Sequence, residues 1–250
     1  MWTDVVDIRD FYATALGQVA RRMIRRRIRA LWPDVSAESV LGLGYATPYL
    51  RRFLDEGERV VAAMPAAQGV LHWPIDAKGR TTLVDELELP FDDLSFDKVL
   101  LVHSLECAEH LRPMLREVWR VMDGSGRLMV VVPNRRGVWA RLERTPFGHG
   151  QPYSVAQLSR LLRDNMLTPI EHQRALYVPP SRSRMVLSSA PAWEKIGGRI
   201  FSTFSGVIVM EAVKQIYAAQ PAAQREARRG VLPIPNRNPG ASSRGRWAGR

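Results

Sequence analysis

Two glycines one residue apart, Gly42 and Gly44, close the apolar run Val40–Leu43 and lead through Tyr45 and Ala46 into an apolar segment suited to a helix. That order is how a buried strand turns tightly into a helix beside a nucleotide-like ligand. Glycine accepts positive φ, and its missing side chain lets the backbone approach what it binds. The same pattern, with alanine in the third small position, also occurs in ordinary turns, and on these residues alone both readings stand. Three further groups could handle a proton: His103 at the end of an apolar run, and His149 and Tyr153 in the segment Phe147–Tyr153. An imidazole near neutrality can accept a proton from a hydroxyl or an enol. The structural alternatives are that His103 satisfies backbone at a strand end and that Phe147–Tyr153 is a lid-like loop. Glu106, Glu109 and His110 have the composition of a metal site, but the other histidines are scattered. They read instead as a solvated helix start, and no metal is expected. No catalytic residue is assigned.

These groups need a scaffold, and the hydrophobic pattern supplies one. Arg59–Met64, Thr82–Glu86, Lys98–His103 and Arg127–Val132 read as short buried strands, Arg51–Glu58 completes the helix that follows the glycine turn, and Leu111–Met122 reads as a further helix. Strand and helix alternate from Val40 to Val132, which indicates a doubly wound, Rossmann-like α/β domain with a parallel sheet. Right-handed crossovers place both glycines and His103 on the same carboxyl edge. Farther on, Ser154–Asn165 is a helix capped by Ser154, Pro169–Val178 and Val207–Val213 are strands, and Ala192–Phe204 is a helix weakened at Gly197-Gly198. Near the amino terminus, Phe11–Trp32 reads as one amphipathic helix with arginines at 21, 22, 25, 26 and 29 opposite its apolar stripe. Three regions follow: a basic helical extension (1–36), the α/β domain (37–218), and a basic tail (219–250) too poor in apolar residues to order itself.

Composition narrows the function. The chain of 250 residues carries a formal net charge of +11. Residues 1–35 hold seven arginines and four aspartates, and residues 221–250 seven arginines and one glutamate, so the middle is nearly neutral. Basic ends on a neutral body suit an anionic membrane surface, RNA or an acidic protein partner, and argue against sequence-specific reading of nucleic acid. With Cys107 the only cysteine, no disulfide can form within the chain, and with neither a signal peptide nor a spanning segment a cytoplasmic location is expected, with membrane association through the basic ends.

Three groups of residues together carry a family resemblance. They are Val40-Leu41-Gly42-Leu43-Gly44; Asp85–Phe91 with Ser95–Val99; and Leu115–Met122 with Gly124–Leu128. Their order and spacing resemble a class I S-adenosylmethionine-dependent methyltransferase of the small type 11 group, over about residues 37 to 218. The resemblance implies a seven-stranded sheet with the last strand antiparallel. It implies S-adenosylmethionine as cofactor and methyl transfer to a small-molecule or lipid-like acceptor. The alternative is a methyltransferase-like protein with weakened catalysis that acts as a binding or regulatory partner.

The resemblance also implies site residues. Gly42, Gly44, Tyr45 and Ala46 would line the methionine part of the cofactor, Asp85, Glu86 and Leu87 would sit at the adenine, and His103 and Ser104 would face it from the fourth strand. Met64 stands at the end of the second strand, where such enzymes hold the ribose hydroxyls with an acid. His149 and Tyr153 are candidates for the acceptor pocket. Two substitutions express this reading: Gly44→Val should block the cofactor, and Met64→Glu should restore ribose acceptors and strengthen binding.

Overall fold

The computed structural model describes residues 4–215. Its frame is one seven-stranded sheet of order β3-β2-β1-β4-β5-β7-β6. The strands are β1 (Ser39–Gly44), β2 (Arg59–Pro65), β3 (Thr81–Val84), β4 (Phe96–Val102), β5 (Met122–Pro133), β6 (Leu167–Ala175) and β7 (Val207–Lys214). β1 to β5 pair in parallel, while β7 runs antiparallel to both β5 and β6. The expected seven strands with an antiparallel last member are therefore present. The central strands read as continuous apolar runs because helices cover both faces of the sheet.

One face is covered by α1 (Val5–Ala13), α2 (Ala15–Leu31) and the short α3 (Thr47–Leu50). On the other lie α4 (Leu111–Val121) and α5 (Val155–Asp164). The remaining helices, α6 (Arg184–Ser188) and α7 (Ala190–Ile200), sit between β6 and β7 in sequence. Ser154 opens α5 through a reciprocal capping box with Gln157, as its sequence suggested.

The amino-terminal helix differs from expectation. Where the periodicity suggested one helix over Phe11–Trp32, the chain breaks at Thr14, whose backbone is extended and whose hydroxyl accepts from the Gly17 amide to start α2. The break re-aims α1. Val5, Ile8 and Tyr12 on α1, and Met23, Ile24 and Ile28 on α2, are all buried in the same core as the sheet. Trp32, just after α2, donates from Nε1 to Glu211 of β7 at 2.9 Å, and Arg127 approaches the same carboxylate at 3.1 Å. The first helix, expected to run from the glycine turn through Arg51–Glu58, stops early: α3 is followed only by a single turn of 3-10 helix at Phe53–Asp55. Trp32 packs on Phe53, so the ground a long crossover helix would take is filled from the amino-terminal side.

The domain boundaries read from the sequence can be followed only in part. The described residues belong to one compact unit that includes α1 and α2. The basic tail lies outside the described residues.

Candidate active site

Strand order reverses between β1 and β4, and in open α/β sheets ligands bind outside the carboxyl ends at such a reversal. Gly44 ends β1 there with φ +83°, and the Tyr45 amide donates to the Val102 carbonyl at 2.8 Å, which locks the turn to the end of β4. Both glycines answer first to packing within the fold. A Cβ at Gly44 would lie 2.3 Å from the Val102 carbonyl oxygen, and one at Gly42 would lie 2.7 Å from the Ala46 Cβ. The structural reading of the pair, left open by the sequence, is thus fully accounted for by the fold.

Above the turn lies a buried polar cluster in which one member comes from a place the sequence did not mark. Tyr12 of α1 stacks on the Tyr45 ring at 5.8 Å between centroids, and its hydroxyl meets the Tyr49 hydroxyl at 2.8 Å and His103 Nε2 at 2.9 Å. Burial, followed by the neighbouring Tyr49, holds the Tyr12 hydroxyl well above the ordinary phenol range, and burial raises Tyr49 likewise. Both are neutral phenols at any physiological pH. His103 adopts the left-handed conformation at φ +51°, which turns its ring away from the strand and against Phe147 at 4.8 Å. On the ring's other side, Nδ1 lies 3.4 Å from Glu106 Oε1.

Glu106 corrects the sequence reading directly. Expected in a solvated helix start, its side chain is only 1% exposed, because the loop after β4 folds inward before α4 begins at Leu111. The loop 147–153 closes over it: the Gln151 amide donates to the Glu106 carbonyl at 2.7 Å, and Gly150 leaves no room there for a Cβ. Tyr153 is buried at the end of this loop, its hydroxyl pushed up to about 12 by burial and then by Glu106. His149 is half-buried on the same loop, outside the hydrogen-bonded cluster. Ser104 is fully buried. Its carbonyl, rather than its side chain, receives the amides of Cys107 and Ala108, while Oγ turns toward Met114 Sδ at 3.7 Å.

The remaining candidates lie toward β2 and β3. Met64 is completely enclosed, and its sulfur accepts from the Leu71 amide at 3.4 Å. Asp85 is exposed and its Oδ1 accepts from the Leu87 amide at 2.9 Å. Glu86 is buried, and desolvation followed by the nearby Asp85 and Glu109 raises its carboxyl to about 7. Asp85, Glu86 and Leu87 line a cavity of about 270 Å³ with Pro65–Ala67, Glu109 and His110. A larger cavity, about 840 Å³, lies against α4 and the end of α5; it shares Leu87 with the smaller one, and neither Gly44 nor His103 lines it.

Unpartnered polar atoms mark what this edge is suited to hold. Among the described residues, eight buried side-chain nitrogen or oxygen atoms lack a hydrogen-bond partner, and five belong to this edge: Gln68 Oε1, Glu86 Oε2, both oxygens of Glu106, and the Tyr153 hydroxyl. Native folds rarely leave such groups unmatched. Four of the five are acceptors once Glu86 and Glu106 are ionised, and of these only Glu106 Oε1 has a neighbour, His103 Nδ1 at 3.4 Å, so the complement is a donor-rich ligand. Tyr12, Gln68 and Glu106 were missed because nothing in local periodicity marks a residue that meets the site across the fold.

Comparison with known proteins places this arrangement. Residues 40–130 match a family model described as a methyltransferase domain, of the type 11 group. This segment, with the seven-stranded sheet that continues from it, is similar to a methyltransferase domain of the type 11 group. A demethylmenaquinone methyltransferase of Corynebacterium efficiens is 32% identical over 130 residues, 52% of this chain and 56% of that one. The chain thus spans about half the length of the curated relatives it matches. Among solved structures, an S-adenosylmethionine-dependent methyltransferase of Thermotoga maritima aligns with a TM-score of 0.57 at 15% identity, covering 84% of this chain and 96% of that one. The 1,6-didemethyltoxoflavin-N1-methyltransferase of Burkholderia thailandensis, solved with its substrate and S-adenosylhomocysteine, aligns at 0.53 and 17% identity, covering 85% of each. At such identities the structural likeness speaks for the fold.

Proposed function

We propose that this domain binds S-adenosylmethionine along the carboxyl edge of β1 to β4 and transfers its methyl group to a small, largely apolar acceptor. The observation that carries the reading is the set of unpartnered buried acceptors at that edge, which suits a ligand bearing a sulfonium, an ammonium, ribose hydroxyls and an adenine amine. Glu86, with Asp85 and Leu87, would hold the adenosine end beside the 270 Å³ cavity. The turn Gly42–Ala46 would carry the methionine end, with Gln68, His103, Ser104 and Glu106 facing it and Met64 packing beneath. Tyr12 covers this ground from α1, and that helix is the element that must give way or re-seat around the ligand.

The cofactor supplies an electrophilic methyl group, and the demand on the protein is chiefly alignment of the acceptor behind it. Phe11, Phe147 and Trp139 form an edge-to-face aromatic chain that ends on His103 and suits an apolar ring. The relative from Corynebacterium efficiens acts, by its name, on demethylmenaquinone. His103 Nε2, the nitrogen that meets the Tyr12 hydroxyl, is placed to take a proton from an acidic acceptor, and the Glu106 carboxylate on the Nδ1 side would favour the resulting imidazolium. Tyr153 and, at the rim, His149 would border the acceptor. Contact of the arginine-rich ends with an anionic surface belongs to the same proposal, since Arg22 and Arg26 of α2 are exposed.

Titration calorimetry with S-adenosylmethionine tests this reading. The donors of an adenosine require the ionised form of Glu86, whose carboxyl is raised to about 7 by burial and its acidic neighbours. Affinity should therefore rise with pH, by about tenfold from pH 6 to pH 8, because the ionised fraction rises by that factor. The sign for folding is opposite: a carboxyl whose folded value lies above its unfolded value lends stability below about pH 4.5 and loses it as pH rises toward 7. Glu86→Gln should flatten the binding profile. Folded protein that ignores millimolar S-adenosylmethionine would overturn the proposal in favour of the binding-partner alternative.

A further inference from the structure

Helix α7 turns Ala190, Glu194 and Gly197 inward and its large apolar residues out. Ala190, Glu194 and Gly197 form the buried arc, where Gly197 lies flat against the Tyr177 ring and Glu194 accepts from the Tyr177 amide at 2.8 Å. Beside that arc, Trp193, Ile196 and Ile200 follow at helical spacing and are exposed by 41%, 51% and 67%. Phe201 and Phe204, immediately after the helix, are exposed by 56% and 57%. A helix on a protein surface ordinarily has the opposite arrangement, and a contiguous exposed apolar ridge marks a contact surface.

The charges around the ridge identify what it meets. Between His172 and Met210 the only acid is Glu194, which faces inward. Arg182, Arg184, Lys195 and Arg199 are exposed, and none forms an ion pair among the described residues. Like charge argues against two other occupants. A second copy would oppose this basic ridge to itself, and residues 221–250, with seven arginines and one glutamate, would be repelled by it. Tryptophan and phenylalanine on a basic, outward ridge are the composition of a helix that lies in a lipid interface. No helix among the described residues is long and apolar enough to cross a membrane.

We infer that the ridge formed by α7 and Phe201–Phe204 docks the protein on an anionic lipid bilayer. A cavity of about 270 Å³ lined by Phe11, Leu16 and Leu187, with Arg144 and Arg182 at its polar side, lies beside α6, which leads directly into α7. Since Phe11 packs on Phe147 and Phe147 on His103, a docked molecule would take an apolar acceptor from the lipid side of its own fold. That last step rests on the proposed methyl transfer; the docking does not.

Sedimentation of the full chain with sucrose-loaded vesicles separates the two. Vesicles of phosphatidylcholine with one third phosphatidylglycerol should bind the protein, and pure phosphatidylcholine should bind it at least about tenfold more weakly. The double substitution Ile200→Glu, Phe204→Glu leaves the basic ends intact and should lower binding to the anionic vesicles by at least about tenfold, at an unchanged melting temperature. Lys195→Glu with Arg199→Glu should do the same and also weaken the dependence on salt. Wild-type indifference to the vesicles, or full binding by the Ile200, Phe204 variant, would overturn the inference. So would a wild-type dimer in analytical ultracentrifugation that this variant dissolves, since a second copy would then be the occupant. Calorimetry with S-adenosylmethionine on the same variants reads the methyltransferase proposal independently, and both variants should bind it as the wild type does.

Discussion

Gly44→Val is expected to destabilise the domain strongly, and loss of ligand binding would follow only as a consequence. The backbone there has φ +83°, a conformation that a β-branched residue adopts at a cost of about 1–2 kcal/mol or more. The new Cβ would also stand 2.3 Å from the Val102 carbonyl oxygen and 2.8 Å from the Ser104 Cβ, neither of which can withdraw without breaking the β1–β4 junction. Together these place the loss at about 4 kcal/mol or more, among the largest single-residue effects. For a domain of this size that is a fall in melting temperature of roughly 10 °C. Thermal melting by circular dichroism measures it. A variant that melts with the wild type and merely fails to bind S-adenosylmethionine would show that the glycine serves the ligand instead.

Met64→Glu is the second large effect, and its sign reverses the expectation drawn from the sequence. Placing an acid at the end of β2 was expected to restore ribose acceptors. In the fold, Met64 is fully enclosed and packed among apolar residues of the core that carries α1 and α2, with its sulfur against the Leu71 amide. A carboxylate there has no cationic partner to offset its desolvation, and the variant should lose about 3–5 kcal/mol at pH 8. Protonation relieves part of that cost, so the deficit should shrink as pH falls toward 5. Met64→Leu, which conserves volume, should cost less than about 1.5 kcal/mol. Denaturant unfolding at the two pH values decides the matter. A Met64→Glu variant as stable as the wild type, with tighter cofactor binding, would show that the side chain reaches the ligand.

These two positions show how far sequence reasoning reached. Alternation of apolar runs and helical periods from Val40 to Val132 determined the parallel sheet, because strands buried on both faces must be apolar throughout. Chain order and right-handed crossovers determined that the glycine turn and His103 share one edge, and Ser154 announced its own helix. The order of short motifs determined the methyltransferase class, which the match over residues 40–130 bears out.

What the sequence did not determine lies in contacts between distant segments. The break at Thr14 depends on one hydroxyl choosing the Gly17 amide, and only the fold shows that α1 then carries Tyr12 onto His103, 91 positions away in the chain. Glu106 has the composition of a solvated helix start and becomes a buried carboxylate because the loop at Gly150–Tyr153 closes over it. The inward and outward arcs of α7 are likewise invisible to periodicity: its apolar residues recur at helical spacing, and only the position of Tyr177 and Arg27 decides that Glu194 is inside and Ile200 is in water. Local pattern fixes which face of an element is apolar. Tertiary packing decides which face is covered, because that depends on the shape and charge of whatever arrives from elsewhere in the chain.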